Sequence, residues 1–350
     1  MPALAVTGER PALHCLCCSQ HFTAVLVLPS APFGLSGTAF WMYAYGAVLL
    51  ILGLIRIFGG LPREHGADKI MPFGLLFFAI PMGVFATEHF TDTKDIAALV
   101  PRWIPAHTFW AYAVGLGFLC AGLSLAVRIQ ARLAAALVAM TFLVFVCVMD
   151  LPGAVARPHS RFAWAFVLRE LSFGSGAFAF ALSSWSTRPR PPSPIAVRAA
   201  VLPRLSIGIA SLSYGGEHFL HPEHVPGIPL EMVTPAWIPG RILLSYFVGV
   251  VLILAGVCLV ANKKARTAAT LLGLTILLAV LWIYLPILVA APKSVEALNY
   301  FFDTLLFCGA ILLLANALEK ETAAAFHKDA ASVADAYSPS APASARSEVP

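Results

Sequence analysis

Nine apolar stretches follow one another along this chain, at approximately 38–60, 71–90, 106–127, 131–151, 163–183, 202–220, 240–261, 266–286 and 296–317. Each is close to the length that carries an α-helix across bilayer hydrocarbon, about 20 residues. In lipid the backbone N–H and C=O groups find no water, so a spanning segment must satisfy them internally as a helix. The fold class that follows is an all-α integral membrane protein with about nine transmembrane helices. Composition agrees: 59% of the 350 residues are hydrophobic and 12% are charged, with a mean hydropathy of +0.82. The net charge of +5 is carried largely by short loops. That pattern argues for orientation in a membrane and against nucleic acid as a partner.

Within this series a unit occurs twice. EHFTDTKDIAALVPRWIP, from Glu88 to Pro105, and EHFLHPEHVPGIPLEMVTPAWIP, from Glu217 to Pro239, each lead from an apolar stretch through Glu-His-Phe and a polar loop to a proline-flanked Trp-Ile. Glu88-His89-Phe90 matches Glu217-His218-Phe219 at an offset of 129, and Trp103-Ile104-Pro105 matches Trp237-Ile238-Pro239 at 134, so the second loop is five residues longer. At 134 the match continues through Gly115 with Gly249, Ala121-Gly122 with Ala255-Gly256, Arg132 with Arg266, and Leu151-Pro152 with Leu285-Pro286. At 133 Glu170 meets Asp303, and Gly176-Ala177 meets Gly309-Ala310. The prediction is a duplicated unit of four helices, repeat A over 71–183 and repeat B over 202–317, with helix 38–60 outside the duplication. An even number of helices per unit makes the duplication parallel rather than inverted. Gly115 with Gly122, and Gly249 with Gly256, each share a helical face and let neighbouring helices approach closely. Two packed four-helix bundles plus one N-terminal helix are expected.

The flanks read differently. Residues 1–37 hold His14, Cys15, Cys17, Cys18 and His21 but no spanning run and no signal-peptide pattern, and a poorly ordered segment is expected. Cys15 and Cys18 supply two of the four ligands a structural zinc site needs, so no metal site is assigned. Cys120, Cys147, Cys258 and Cys308 each stand alone in an apolar segment, as small hydrophobes do. The linker at 184–201 is rich in proline and arginine, and the Ala/Ser/Pro tail at 318–350 is expected to be disordered. Loops after the odd-numbered helices from the first to the seventh, together with the tail, carry twelve basic residues against seven on the other side. The positive-inside rule then places the N-terminus outside and the C-terminus in the cytoplasm of a cell's inner membrane, with both Glu-His-Phe loops facing outward.

Acidic side chains at lipid depth carry the strongest chemical signal, because each costs roughly 2.5–3.5 kcal/mol at a helix centre. Glu88, His89, Asp150, Arg169 and Glu170 should share one depth in repeat A; Glu217, His218, Asn299 and Asp303, with Tyr214 a turn away, in repeat B. Phe302 stands where repeat A has Arg169. Arg169 with Glu170 is therefore the structural ion-pair candidate, and Asp303, lacking a cation of its own, is the better candidate for proton handling or ligand binding. Glu88, His89, Glu170, Glu217 and His218 join Asp303 as ligand or proton-handling candidates, weighed against interhelical hydrogen bonds that merely fix the bundle. Trp103 and Trp237 read as interfacial anchors.

The unit of Glu-His-Phe, a loop, P-x-W-I-P, a helix with Ala-Gly, and a last helix with an acidic residue before Gly-Ala resembles the DoxX-like family of membrane proteins. Both copies match, so the chain resembles a tandem DoxX-like protein. The resemblance implies a four-helix membrane bundle per copy and, through the related DoxD-like proteins, makes thiosulfate:quinone oxidoreduction a respiratory association. No catalytic residue carries over. The functional expectation is an accessory, non-catalytic protein in the lipid bilayer that holds a small apolar or quinone-like ligand at the outer side of each bundle. The alternatives are a membrane subunit of a quinone-linked oxidoreductase with a soluble redox or other membrane partner, and a proton-coupled small-molecule transporter.

Overall fold

The computed structural model describes residues 37–59, 69–185, 199 and 201–336; the cysteine-bearing N-terminal segment, most of the linker and residues 337–350 lie outside it. All regular elements among the described residues are helical, apart from one isolated antiparallel bridge between His224 and Val233. In order they are α1 (Gly37–Phe58), α2 (Met71–Thr91), the short α3 (Thr93–Leu99), α4 (His107–Val127), α5 (Ala131–Ala156), α6 (Arg161–Trp185), α7 (Val201–Leu220), α8 (Arg241–Val260), α9 (Ala265–Ala290) and α10 (Val295–Ala336). Eight are long and apolar enough to cross a membrane. The predicted ninth, α7, is helical over 20 residues but carries Arg204, Ser211, Glu217 and His218, which lower its hydropathy. It nevertheless runs the depth of the bundle. Arg204 near its start caps the carbonyls of Leu259 and Val260 at the far end of α8, while Glu217 near its end meets Arg161 at the start of α6. The protein is an all-helical, polytopic membrane protein.

Proline chemistry shapes α5 and α9. Each contains a π turn, Val146–Asp150 and Val280–Tyr284, directly before Leu-Pro. Pro152 and Pro286 lack an N–H, and each ring would strike the carbonyl four residues back in a regular helix. The wider turn makes room, and the N–H groups of Leu151 and Leu285 reach Val146 and Val280, five residues back.

Local geometry recurs between the halves. Left-handed residues occur at Ala106 and Gly240, Arg128 and Asn262, and Gln130 and Lys264. Phe90 stacks on Tyr112 as Phe219 does on Tyr246. The hydroxyl of Ser160 accepts the Ala163 N–H, and that of Ser294 accepts the Ala297 N–H.

The glycines set the helix spacing. A Cβ on Gly122 would lie 2.9 Å from the Gly83 nitrogen, and one on Gly256 would lie 2.9 Å from the Gly208 carbonyl oxygen, so α4 sits on α2 and α8 on α7 almost backbone to backbone. Closure, however, crosses between the units. α2 packs against α10 and α7 against α6, so the first helix of each predicted bundle lies on the last helix of the other, and α6 crosses α10 at the centre. Gly176 faces the Ala310 backbone at that crossing, and a Cβ on Gly309 would lie 2.6 Å from the Phe78 nitrogen. The two expected bundles are thus one body with a shared seam, and α10 is its most enclosed spanning helix.

One expectation is overturned at the C-terminus. α10 does not stop at the membrane edge but continues through Ala336. Low hydrophobicity suggested disorder there, but the segment is rich in alanine, the best helix former, and it extends a helix already nucleated and packed.

Candidate functional site

Two polar layers span the seam. The deeper is built on α6 and α10, roughly 12–14 Å along each helix from its start. Arg169 holds it together: Nη1 donates to Asp303 Oδ2 at 2.6 Å, and Nη2 donates to Glu170 Oε1 at 2.7 Å. The guanidinium lies 3.9 Å over the Phe166 ring centroid. All three side chains are 10–11% exposed. One turn from Asp303, Asn299 Nδ2 donates to Glu88 Oε1 at 2.8 Å, another bond from one half to the other. Asp150, at the end of the α5 π turn, lies within electrostatic reach of Glu170 and Arg169, and Glu88 lies within reach of Asp303.

This geometry corrects the expectation that Asp303 has no cation. Phe302 does deny it one within its own repeat, but α6 and α10 cross at the centre, and Arg169 serves both Glu170 and Asp303. The sequence-predicted carboxyl groups Glu88, Glu170 and Asp303 are brought together, with Asp150 and Asn299. Three buried acceptors in this layer, Asp150 Oδ2, Glu170 Oε2 and Asn299 Oδ1, have no hydrogen-bond partner. An unsatisfied buried polar atom costs about 1–3 kcal/mol, so the layer is chemically disposed to accept hydrogen from a proton or a hydroxyl group.

The second layer lies where α2 and α7 end. Arg161 Nη1 donates to the Pro229 carbonyl at 2.5 Å, Nη2 donates to that of Leu230 at 3.0 Å, and Nε lies 3.5 Å from Glu217 Oε2. Tyr300 Oη accepts the N–H groups of Glu231 and Met232, and Tyr284 Oη donates to the Pro226 carbonyl. The longer second loop is thereby folded down over the helix ends. His218 belongs to this loop clamp: its Nε2 accepts the Gly227 N–H at 3.0 Å, and Nδ1 faces Ser245 Oγ at 3.4 Å. Both nitrogens of His218, a ligand candidate from the sequence, are thus engaged within the clamp, and the ring is fully buried. Glu217 is likewise turned to Arg161, away from the carboxyl layer. His89, whose loop is shorter, instead donates from Nδ1 to the Phe85 carbonyl at 2.8 Å and meets the Phe118 ring edge.

At the loop surface Trp103 and Trp237 are both exposed. Thr38 donates to Asp92 Oδ2 at 3.0 Å just beyond α2. Burial pushes the Asp92 carboxyl above its ordinary value, although the Thr38 bond opposes the shift. Not foreseen from the sequence was the buried cap Arg204. Nor was the trio His221, Glu223 and His224, whose ligand atoms lie within 4.8 Å of one another. Its signal was present as His-Pro-Glu-His shortly after the second Glu-His-Phe. Burial and Arg161 push the His224 imidazole below its ordinary value.

The chain matches no family model, no curated protein and no solved structure at a significant level.

Proposed function

We propose that this is an accessory, non-catalytic membrane protein of the DoxX-like type, and that its buried carboxyl layer binds one small apolar ligand with hydroxyl donors, of the quinol kind. The observation that carries the reading is the set of unpartnered acceptors Asp150 Oδ2, Glu170 Oε2 and Asn299 Oδ1 around an Arg169 already engaged by two carboxyl groups. A quinol presents two O–H donors on an apolar ring, whereas an oxidised quinone presents acceptors and would leave these oxygens unsatisfied. The Phe166 and Phe173 rings beside Arg169 suit such a ring. The site is single and shared by the halves, rather than one per bundle. A tandem duplication is supported by the recurrence of π turns, left-handed residues and serine caps at an offset of 134. The basic-residue asymmetry supports an N-out, C-in orientation.

Solvent extraction of the detergent-purified protein tests the reading. Near-stoichiometric quinol or quinone is expected from the native protein, with strong depletion in Glu170→Gln and Asp150→Asn. An empty native protein that also fails to bind added quinol would refute it.

The charge count favours a second reading, proton handling. Asp150, Glu170 and Asp303 share one guanidinium, with Glu88 held next to them by Asn299, and unpaired carboxylates away from water are strongly disfavoured. Protons shared among these groups would give infrared bands of protonated carboxyl groups that vanish in the Asn and Gln variants, with or without a ligand.

A further inference from the structure

The loop between α7 and α8 presents His221, Glu223 and His224 as a compact set. Glu223 Oε1 is 3.4 Å from His221 Nδ1 and 3.5 Å from His224 Nδ1. Nitrogen and oxygen ligands sit about 2.0–2.2 Å from zinc in a tetrahedral site, which separates neighbouring ligand atoms by roughly 3.3–3.5 Å. Two of the three donor separations match that spacing, and all three donor atoms lie within 4.8 Å of one another. An ordinary ion pair would bring the carboxylate closer to one ring, yet Oε1 here stands almost equally far from both.

The loop is also held before any ion arrives. The Thr234 N–H donates to the Glu223 carbonyl at 2.8 Å, the Val225 N–H donates to that of Met232 at 3.0 Å, and the His224 N–H donates to that of His221 at 3.2 Å. Pro222 stiffens the turn between the ligands. The Arg161 bonds to Pro229 and Leu230, and the Gly227 bond to His218, tie its far limb to α6 and α7. His224 Nδ1 is buried and has no hydrogen-bond partner. The side chains of His221 and Glu223 are 43% and 45% exposed, so an ion can enter from solvent.

We propose that His221, Glu223 and His224 form a binding site for a divalent first-row transition cation, of which Zn²⁺ suits two imidazoles and one carboxylate best. Water fills the fourth position. Metal on His224 Nδ1 places the ring hydrogen on Nε2, which lies 3.5 Å from Arg161 Nη2. At the offset of 129 the first half has Asp92, Lys94 and Asp95 at these positions, so the site belongs to the second half alone.

The test is calorimetric titration of the full-length, detergent-purified protein with Zn²⁺ in a non-chelating buffer, repeated for His221→Ala, His224→Ala and Glu223→Gln. One saturable site is expected, with affinity lowered about tenfold or more in each variant. Glu223→Gln keeps size and backbone, so it guards against misfolding in the histidine variants. Co²⁺ spectra separate this site from the cysteines near the N-terminus: ligand-field bands without a thiolate charge-transfer band are expected. No saturable binding, binding unchanged in all three variants, or a thiolate band accounting for the single site would each overturn the proposal.

Discussion

Replacing Arg169 with leucine removes one guanidinium from two carboxyl groups that are about nine-tenths buried. Breaking a buried pair by removing one partner costs on the order of 3–5 kcal/mol, because the stranded charge is uncompensated. Asp303→Asn keeps an acceptor for Nη1 but removes the anionic partner of the guanidinium, a loss of roughly 1–2 kcal/mol. In the Arg169→Leu background the same substitution should instead relieve a stranded carboxylate. The double variant should therefore be more stable than the sum of the singles by roughly 2 kcal/mol, within the 0.5–3 kcal/mol span of contacting residues. An ordinary interhelical hydrogen bond in a membrane protein contributes only about 0.6 kcal/mol, so the two explanations separate. The assay is reversible unfolding in mixed micelles, read by tryptophan fluorescence, for the native protein, both singles and the double. Additivity to within about 0.5 kcal/mol would show that Arg169 and Asp303 do not act as a pair, and the ionic seam would fail as an account of how the halves are joined.

Gly309→Ala should destabilise the same unfolding transition by roughly 1–3 kcal/mol, because the new Cβ meets backbone rather than a yielding side chain; an unchanged midpoint would refute the close crossing of α10 and α2. Single cysteines at Asp92 and Pro222, in a background without native cysteines, should react with an impermeant maleimide in intact cells, and one at Ser193 only after permeabilisation; the reverse pattern would invert the orientation. Asp92 has a folded-state value raised above the ordinary 3.8, so the folded protein binds that proton more tightly than the unfolded chain does. The stability this contributes is present below the unfolded value and lost as pH rises through the folded one. Asp92→Asn should flatten the dependence of melting temperature on pH across that window, and a slope unchanged from the native protein would count against it.

Much of the architecture was legible because lipid leaves so few options: length and apolarity alone located the helices, including α7, whose polar residues disguise it. The shared depth of Glu170 and Asp303 followed from counting along their helices. What counting could not supply was which helices of the two units face each other. Phe302 correctly signalled that repeat B has no arginine, yet the cation arrives from α6 because closure occurs across the seam, a long-range choice that no local pattern encodes. His89 and His218 stand at matching positions and part ways for a similar reason: five added residues bring Gly227 back over one ring and nothing comparable over the other. The π turns, by contrast, had a local cause visible in Pro152 and Pro286. The helical run to Ala336 is marked in the sequence by alanine content, not by hydrophobicity, which falls there.

Closure across the seam bears on what half of this chain could do by itself. A four-helix fragment ending after α6 would keep α2 on α4 and α5 on α6, but α2 would lack α10, and Arg169 would lack Asp303. Such a fragment would present a small-residue stripe and half an ionic network to the surrounding lipid, where neither is stable. Its nearest substitute for the missing α10 would be the matching surface of a second fragment. A strictly two-fold pair of such fragments would make the arginine–carboxylate contact twice, whereas here Phe302 stands at the matching position and Arg169 makes it once, to Asp303.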